Sequence, residues 1–385
     1  MRHLCLLVLL AASLAAADPI YVTAFRDPCR AIEVHRLVLA NEPVVPLTVV
    51  VGGVERQVPA VSVALPRTDW VVHRALVDGL APATEVTLRF PGTTERVRTL
   101  PADLARPLRI ATGGDTMHKP EWLAATAKAL SARDPDFVVL GGDLAYEDGK
   151  NGARVVTWIQ TWVASARAPD GRLLPFVSCI GNHEVQGSYG GDITKAPYFY
   201  AMLPLGGSAT HAIDIGDEVS VILLDSAHTT PIPGPQTAWL AEQLSKRAKR
   251  PSIIPIYHYP AWPTVKVSKG EKDPTGNRVS KLIREHWVPL FEAAGVRVVL
   301  ENDQHTYKRT VPLKGGQPDP GGITYLGDGA WGVDVRRIFP GLTWLAKGAE
   351  VRHGYILDIH AGGRIAVTAV DETGKDFDSV DIPAR

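Results

Sequence analysis

Cysteine is scarce, with three in 385 residues. Cys5 lies inside the apolar run that opens the chain, so only Cys29 and Cys179 remain beyond it. That excludes a disulfide-dense scaffold. Both are read as free thiols, Cys179 facing inward at the end of the run Pro175-Phe-Val-Ser-Cys-Ile180. No Asn-x-Ser/Thr acceptor occurs, which excludes N-glycosylation. Charge of one sign is not in excess: Lys+Arg 41 offsets Asp+Glu 41, so bulk charge offers nothing to a nucleic-acid backbone. After residue 14 no apolar stretch approaches the roughly 20 residues of a membrane span. Gly 35 and Pro 30 recur without period, which excludes collagen-like repeats. At 45% hydrophobic and 21% charged residues, the chain has the balance of a loop-rich α/β or β protein of two or three domains.

What is present begins with a basic start, Met1-Arg2-His3, an apolar run from Leu4 to Leu14, and Ala15-Ala16-Ala17 before Asp18-Pro19. This pattern predicts a cleaved signal peptide over 1–17 and a secreted or periplasmic protein. No cysteine follows the small residues, so no lipoprotein anchor is expected. Residues 20–100 hold short runs with turn signals every 8 to 12 residues or so: Ile32–Leu39, Leu47–Val51, Val58–Leu65, Trp70–Val77, Glu85–Phe90 and Glu95–Leu100. That spacing predicts a β-sandwich over 18–100. The stretch Leu76-Val-Asp-Gly-Leu-Ala-Pro-Ala-Thr-Glu-Val-Thr-Leu88 resembles fibronectin type III-like domains. Residues 101–107 are expected as a linker.

From Leu108 to the end, short unalternating apolar runs separated by helical stretches predict strands covered on both faces. Expected strands are Leu108–Ala111, Phe137–Leu140, Phe176–Ile180, Val219–Leu224, Ser252–Tyr257 and Val296–Leu300. Helices are expected from Pro120, over Ala153–Ala166, Pro235–Lys249 and Val279–Ala294. After Pro312 the runs Ile323–Leu326, Tyr355–Ile359, Ile365–Val370 and Asp376–Ile382 read as strands, which suggests a second sheet that is mostly C-terminal.

Five polar clusters follow the strands: Gly113-Gly-Asp115, Gly141-Gly-Asp143-Leu-Ala-Tyr146, Gly181-Asn182-His183-Glu184, Tyr257-His258-Tyr-Pro260, and Glu301-Asn-Asp303-Gln-His305-Thr-Tyr307. Ligand sites of open α/β sheets lie beyond the carboxyl ends of the strands, so all five are expected on one rim. Glycine before Asp115 and before Asp143 allows the sharp turn that displays the carboxylate. Carboxylate, amide oxygen, phenol and imidazole are donors for two hard-to-borderline cations, not for a thiolate zinc finger.

These blocks resemble the calcineurin-like metallophosphoesterases, and within them the purple acid phosphatase group: an Asp, Gly-Asp-x-x-Tyr, Gly-Asn-His-Glu, a strand-end His, and Gly-His-x-His-x-Tyr-x-Arg. Gly234-Pro-Gln236-Thr-Ala-Trp239-Leu240 is similar to a further stretch of that family. The resemblance implies an α/β fold: a β-sandwich followed by a metallophosphoesterase α/β-β/α sandwich of two mixed sheets flanked by helices. It also implies two metals. Asp115, Asp143, Tyr146 and His305 would hold one; Asp143, Asn182, His258 and position 303 would hold the other, with Asp143 as bridge. A free phenol has a pKa of about 10, so Tyr146 calls for a strong Lewis acid. The family's Fe(III) supplies it, with Zn, Mn or Fe(II) at the second site. The substrate class implied is a phosphate ester, attacked by a metal-activated water. His183 would protonate the leaving alkoxide or orient the phosphate.

The sequence departs from the family in two places. Asp303 stands where the family has its first His, and the loop from Pro260 to Pro274 carries Lys266, Lys269 and Lys272 in place of the usual extra histidines. Asp303 either reaches the metal, adding negative charge that disfavours dianionic monoesters relative to diesters, or stops short and orients a water. His118 and His228 also lie near strand ends, without a matching block, and are read as solvated or substrate-side residues. Glu184 is expected on a neighbouring backbone or histidine. Two rivals to a phosphomonoesterase stand: a phosphodiesterase or nucleotide hydrolase on the same metals, and a non-catalytic binding protein with an impaired second site.

Overall fold

The computed structural model describes residues 18–385; the expected signal over 1–17 lies outside the described residues. Two sheets pack face to face with helices on their outer sides. The seven-stranded sheet runs in the order His211–Ile215, Val219–Leu223, Ser252–Ile256, Val298–Leu300, Thr324–Gly327, Tyr307–Thr310, Leu345–Ala349. Its central strands are buried along their whole length because side chains alternate between two cores. Val221, Leu223, Ile254, Ile256, Val298 and Leu300 face the core shared with the other sheet. Ile222, Ile253 and Val299 face the helices Pro235–Lys246 and Arg278–His286 and the aromatic rings of Trp287 and Phe291.

The other sheet has ten strands, in the order Asp376–Ile382, Ile365–Asp371, His353–Ile359, Leu108–Gly113, Phe137–Leu140, Phe176–Ser178, Ile20–Thr23, Ile32–Leu39, Trp70–Val77, Val61–Ala64. Helices Pro120–Ser131 and Gly152–Ser165 cover it, with Leu123, Leu130, Trp158, Ile159 and Trp162 in the core. Both begin on expected signals: proline in the first turn of one, and Asn151 accepting a hydrogen bond from the Arg154 amide at the start of the other.

Three expectations change. The last three strands join the ten-stranded sheet that begins with Leu108–Gly113, not the second sheet: His353–Ile359, buried over nearly its whole length, needs neighbours on both sides and pairs antiparallel with Leu108–Gly113 from Tyr355↔Thr112 to Ile359↔Leu108. The second sheet is instead built from the middle of the chain. The helix expected over 279–294 is two, Arg278–His286 and Val288–Ala293, broken at Trp287 because Pro289 has no amide hydrogen to continue the first. Third, the N-terminal β-sandwich is not set apart by residues 101–107: four of its strands belong to the ten-stranded sheet. Its four-stranded sheet, in the order Val54–Val58, Leu47–Val51, Glu85–Phe90, Thr93–Arg98, packs on the outer strands of the ten-stranded sheet around Val22, Val34, Val49, Val86 and Leu88. Ile20–Thr23 runs parallel beside Phe176–Ser178, in register at Thr23↔Phe176. Cys29 and Cys179 are buried free thiols. No helix among the described residues is long and apolar enough to cross a membrane.

Candidate metal centre

All five polar clusters leave carboxyl ends of strands, three from the ten-stranded sheet and two from the facing seven-stranded sheet, and meet at one rim. The backbone there is unusual. Asp115, Asp143, Tyr146, Asp303 and His305 all have φ between 53° and 76°, the left-handed region that non-glycine residues seldom occupy. Such strain persists where surrounding structure fixes it and gathers at functional sites. Part of the fixing is visible. Glu184, buried, accepts hydrogen bonds from the amides of Asp143, Leu144 and Gly181 at 2.7–2.8 Å, clamping two of the loops together. Gly329 is required by close approach, since a Cβ there would collide with the Asp115 carboxylate.

The donor atoms form two groups. In the first, the Tyr146 hydroxyl donates to Asp115 Oδ1 at 2.9 Å and lies 2.9 Å from His305 Nε2, which is 3.1 Å from the same Asp115 oxygen. In the second, His258 Nε2 lies 3.1 Å from Asn182 Oδ1, 3.2 Å from Asp143 Oδ2 and 3.8 Å from Asp303 Oδ1. Asp115, Asp143 and His258 join the groups: all are buried, with ligand atoms within 4.8 Å of one another. A cation with bonds of about 2.1 Å holds neighbouring ligands roughly 3 Å apart when they lie at right angles, and both groups fit that spacing except at Asp303, which stands off at 3.8 Å. The imidazoles are oriented for it. His258 Nδ1 lies 2.8 Å from the Gly141 carbonyl and His305 Nδ1 3.1 Å from that of Asp334, so each directs Nε2 at the acidic oxygens.

Electrostatics points the same way. Burial works against protonation of His258, yet the Asp143 and Asp115 carboxylates outweigh it and push its pKa up to about 10. The site therefore recruits a proton where positive charge is wanted. Burial, with Asp115 and Asp143 nearby, raises the Tyr146 phenol well above its ordinary value, so it ionises only if a cation reverses that field. His183 sits at the mouth. Its amide donates to Asp143 Oδ1 at 2.8 Å, its Nδ1 lies 2.5 Å from Asp148 Oδ1, and its ring lies 4.3 Å from that of Tyr146. Burial lowers its pKa, but Asp143 and Asp148 more than compensate and the net shift is upward.

Sequence reasoning misplaced or overlooked several neighbours. His228 is neither solvated nor at the mouth: it is buried, with Nε2 3.0 Å from Ser226 Oγ and Nδ1 2.9 Å from the Ser188 carbonyl. His118 is half-buried, edge-on to Tyr146 at 4.5 Å and to His305 at 5.4 Å, with Nδ1 2.9 Å from Asp334 Oδ2. Beneath the second group lies a buried ionic knot that no motif announces. Lys308 Nζ donates to Glu301 Oε2 at 2.5 Å, to Asp328 Oδ1 at 3.1 Å and to the Trp262 carbonyl at 2.8 Å, while Glu301 Oε1 accepts from the Tyr257 hydroxyl and the Ala261 amide. The knot ties the His258 loop to the Asp303 loop. Above them, Lys266 pairs with Asp303, and Arg336 donates to the Asp303 carbonyl.

A model of the calcineurin-like phosphoesterase family matches residues 108–307. Among curated relatives, purple acid phosphatase 21 of Arabidopsis thaliana is 26% identical over 271 residues, covering 67% of this chain and 58% of that one. Purple acid phosphatase 23 of the same plant is 26% identical over 298 residues, covering 68% and 63%. An uncharacterized Mycobacterium tuberculosis protein is 25% identical over 276 residues, covering 65% and 50%. The chain thus spans between half and under two thirds of the length of these relatives. Among solved structures, the purple acid phosphatase PPD1 from yellow lupin seeds superposes with a TM-score of 0.75 at 16% identity, covering 95% of this chain and 73% of that one. GAP50, described as the anchor in the inner membrane complex of Plasmodium, does so with a TM-score of 0.53 at 13% identity, covering 72% and 89%.

Proposed function

The chain belongs to the calcineurin-like phosphoesterase family, and from that premise we propose that it is an exported binuclear metal-dependent hydrolase of phosphate esters, acting as a phosphomonoesterase of the purple acid phosphatase kind. The observation that carries this reading is the pair of donor groups joined through Asp143, each, Asp303 apart, with the spacing of a cation shell. Asp115, Asp143, Tyr146 and His305 would hold one cation, Fe(III) by the phenol's demand for a strong Lewis acid. Asp143, Asn182, His258 and Asp303 would hold the other, as Zn, Mn or Fe(II). Such a pair acidifies a water and neutralises phosphoryl oxygens.

The chain's own residues do the rest. His183 holds a proton on a ring fixed through Nδ1 by Asp148, which leaves Nε2 to donate to the departing alkoxide. Asp148 thereby sets the ring's orientation as well as its basicity. The buried rim excludes bulk water from the carboxylates, since Asp115, Asp143, His258, Asp303 and His305 are all at most 2% exposed. Export rests on the pattern of the first 17 residues alone.

The test combines metal analysis with chromogenic monoester and diester assays across pH. About two metals per chain and faster monoester turnover are expected; protein reloaded with iron, zinc or manganese and inert to both esters sinks the reading. The diester reading is favoured by one observation, the buried anionic Asp303, and the ratio of the two rates decides it. Tyr146→Phe should abolish the visible absorption of the ferric protein, and a band that survives removes Tyr146 from the shell.

A further inference from the structure

Asp303 faces two ways. Its Oδ1 lies 3.8 Å from His258 Nε2, within the second donor group, and its two oxygens each accept from Lys266 Nζ at 2.9 Å. The carboxylate is 3% exposed and the lysine side chain 42%, so the ammonium caps the pocket from its mouth. The arrangement is built rather than incidental. The amides of Val265 and Lys266 both donate to Gln304 Oε1, at 3.0 and 2.9 Å, and Gln304 Nε2 donates back to Asp303 Oδ2 at 2.5 Å. The residue next to Asp303 thus fixes the backbone that delivers the lysine.

Charge gives this contact its meaning. A carboxylate where the resemblance expects a neutral imidazole would leave the pocket one charge more negative and repel a phosphate dianion. Asp303 and Lys266 together are neutral, as the imidazole is, so the ion pair cancels that penalty. It does more than cancel it. A cation held by the second group and the Lys266 ammonium would draw on the same carboxylate, where like charges compete. Lysine carries its charge on a flexible four-carbon stem, so the ammonium can leave the carboxylate without moving the loop.

We propose that Lys266 is the specificity-determining cation of the second metal pocket: it pairs with Asp303, competes with a bound metal for that carboxylate, and contacts the terminal oxygens of a phosphomonoester. The proposal rests on the two-metal phosphoesterase reading above and narrows its substrate class to esters with a dianionic phosphate.

Lys266→Gln tests it, keeping a hydrogen-bond donor on a side chain one bond shorter while removing charge, with Lys266→Arg as the charge-retaining control. Titration of the metal-stripped protein with Mn2+ should show the weaker equivalent binding about tenfold more tightly in Lys266→Gln than in wild type. In the loaded protein, inorganic phosphate should inhibit about tenfold less well, with Lys266→Arg close to wild type in that measurement. If either constant is unchanged in Lys266→Gln, the proposal is overturned. Wild-type protein that takes up no metal overturns the functional reading as well; wild-type protein that takes up two, with Lys266→Gln indistinguishable from it, overturns this inference alone.

Discussion

The two donor groups use one backbone device to different effect. On the Tyr146 side, Asp115, Tyr146 and His305 close on one another at 2.9–3.1 Å, with Asp115 accepting also from the Asp303 amide. On the His258 side, Asn182 and Asp143 lie within 3.2 Å of Nε2, but Asp303 stands off at 3.8 Å and leans on Lys266. Strand ends and left-handed turns deliver both sets of side chains. What differs is whether the last donor is spent on its neighbours within the group or on an outside cation. A shared scaffold can therefore hold one shell near completion and leave the other adjustable.

The largest effect should come from removing what the groups share. Asp143→Asn keeps shape but removes the carboxylate's negative charge and replaces one ligand oxygen with an NH2 group, and is expected to cost both metals and on the order of 10³-fold or more in turnover. Retention of two metals by Asp143→Asn, read by elemental analysis, would show that the groups are not joined there. His183→Asn should leave both metals bound and lower kcat by about 10²- to 10⁴-fold, the range for lost general-acid catalysis. Metal loss in parallel with activity would instead make His183 part of the scaffold. Lys308→Met removes the cation of the buried knot, which ties down the His258 loop through Glu301 and also reaches His305, whose amide donates to the Asp328 carbonyl. It leaves Glu301 and Asp328 buried without their cation, and loss of one partner in a buried ion pair costs about 3–5 kcal/mol, measurable by urea unfolding. A loss under 1 kcal/mol would mean the knot is not what fixes those loops.

Metal removal sharpens the comparison through pH. In stripped protein His258 has a folded pKa of about 10, against about 6.5 for an unfolded histidine, so the folded state binds the proton more tightly. Its stabilisation is complete below about pH 6.5 and is lost as pH rises through 10. The melting temperature of stripped protein should therefore fall from pH 7 to 10, while loaded protein, whose cations stand in for that proton, stays flat. Stripped His258→Gln should lose most of that slope, keeping only the part due to His183; an unchanged slope assigns the dependence to another group.

Much of this was legible in the sequence, and the reason is local. Phe137–Leu140 and Val219–Leu223 are runs too short and too apolar for anything but strands buried on both faces, and the polar residues that follow such strands fall at one rim by topology alone. What was not legible depends on partners far along the chain. The run around Tyr355–Ile359 reads the same whichever sheet it joins, and only the exposed edge of Leu108–Gly113 decides it. His228 carries the same signature as a ligand histidine, and its role is set by Ser188 and Ser226. Lys266 sits in a loop without period, 37 residues from Asp303, and a single lysine among several gives no sign of which carboxylate it meets. Left-handed backbone at Asp115 and Asp143 has the preceding glycine pairs as its sequence trace, whereas at Asp303 and His305 no neighbouring glycine announces it.

The strand Ile20–Thr23 has a consequence for anyone who would trim this protein. It borders Phe176–Ser178, whose next residues lead to Asn182 and His183, and the sandwich reaches further across the seam: the Tyr21 hydroxyl donates to the Met202 carbonyl at 2.9 Å and Arg74 to that of Ala201 at 2.9 Å. Cutting the chain before Leu108 would leave a bare strand edge, with unanswered backbone groups, beside the loop that carries Asn182 and His183. Edges of that kind recruit other chains. The excised catalytic region is thus expected to be a sticky fragment, and the sandwich serves as the selvedge that keeps the main sheet from fraying.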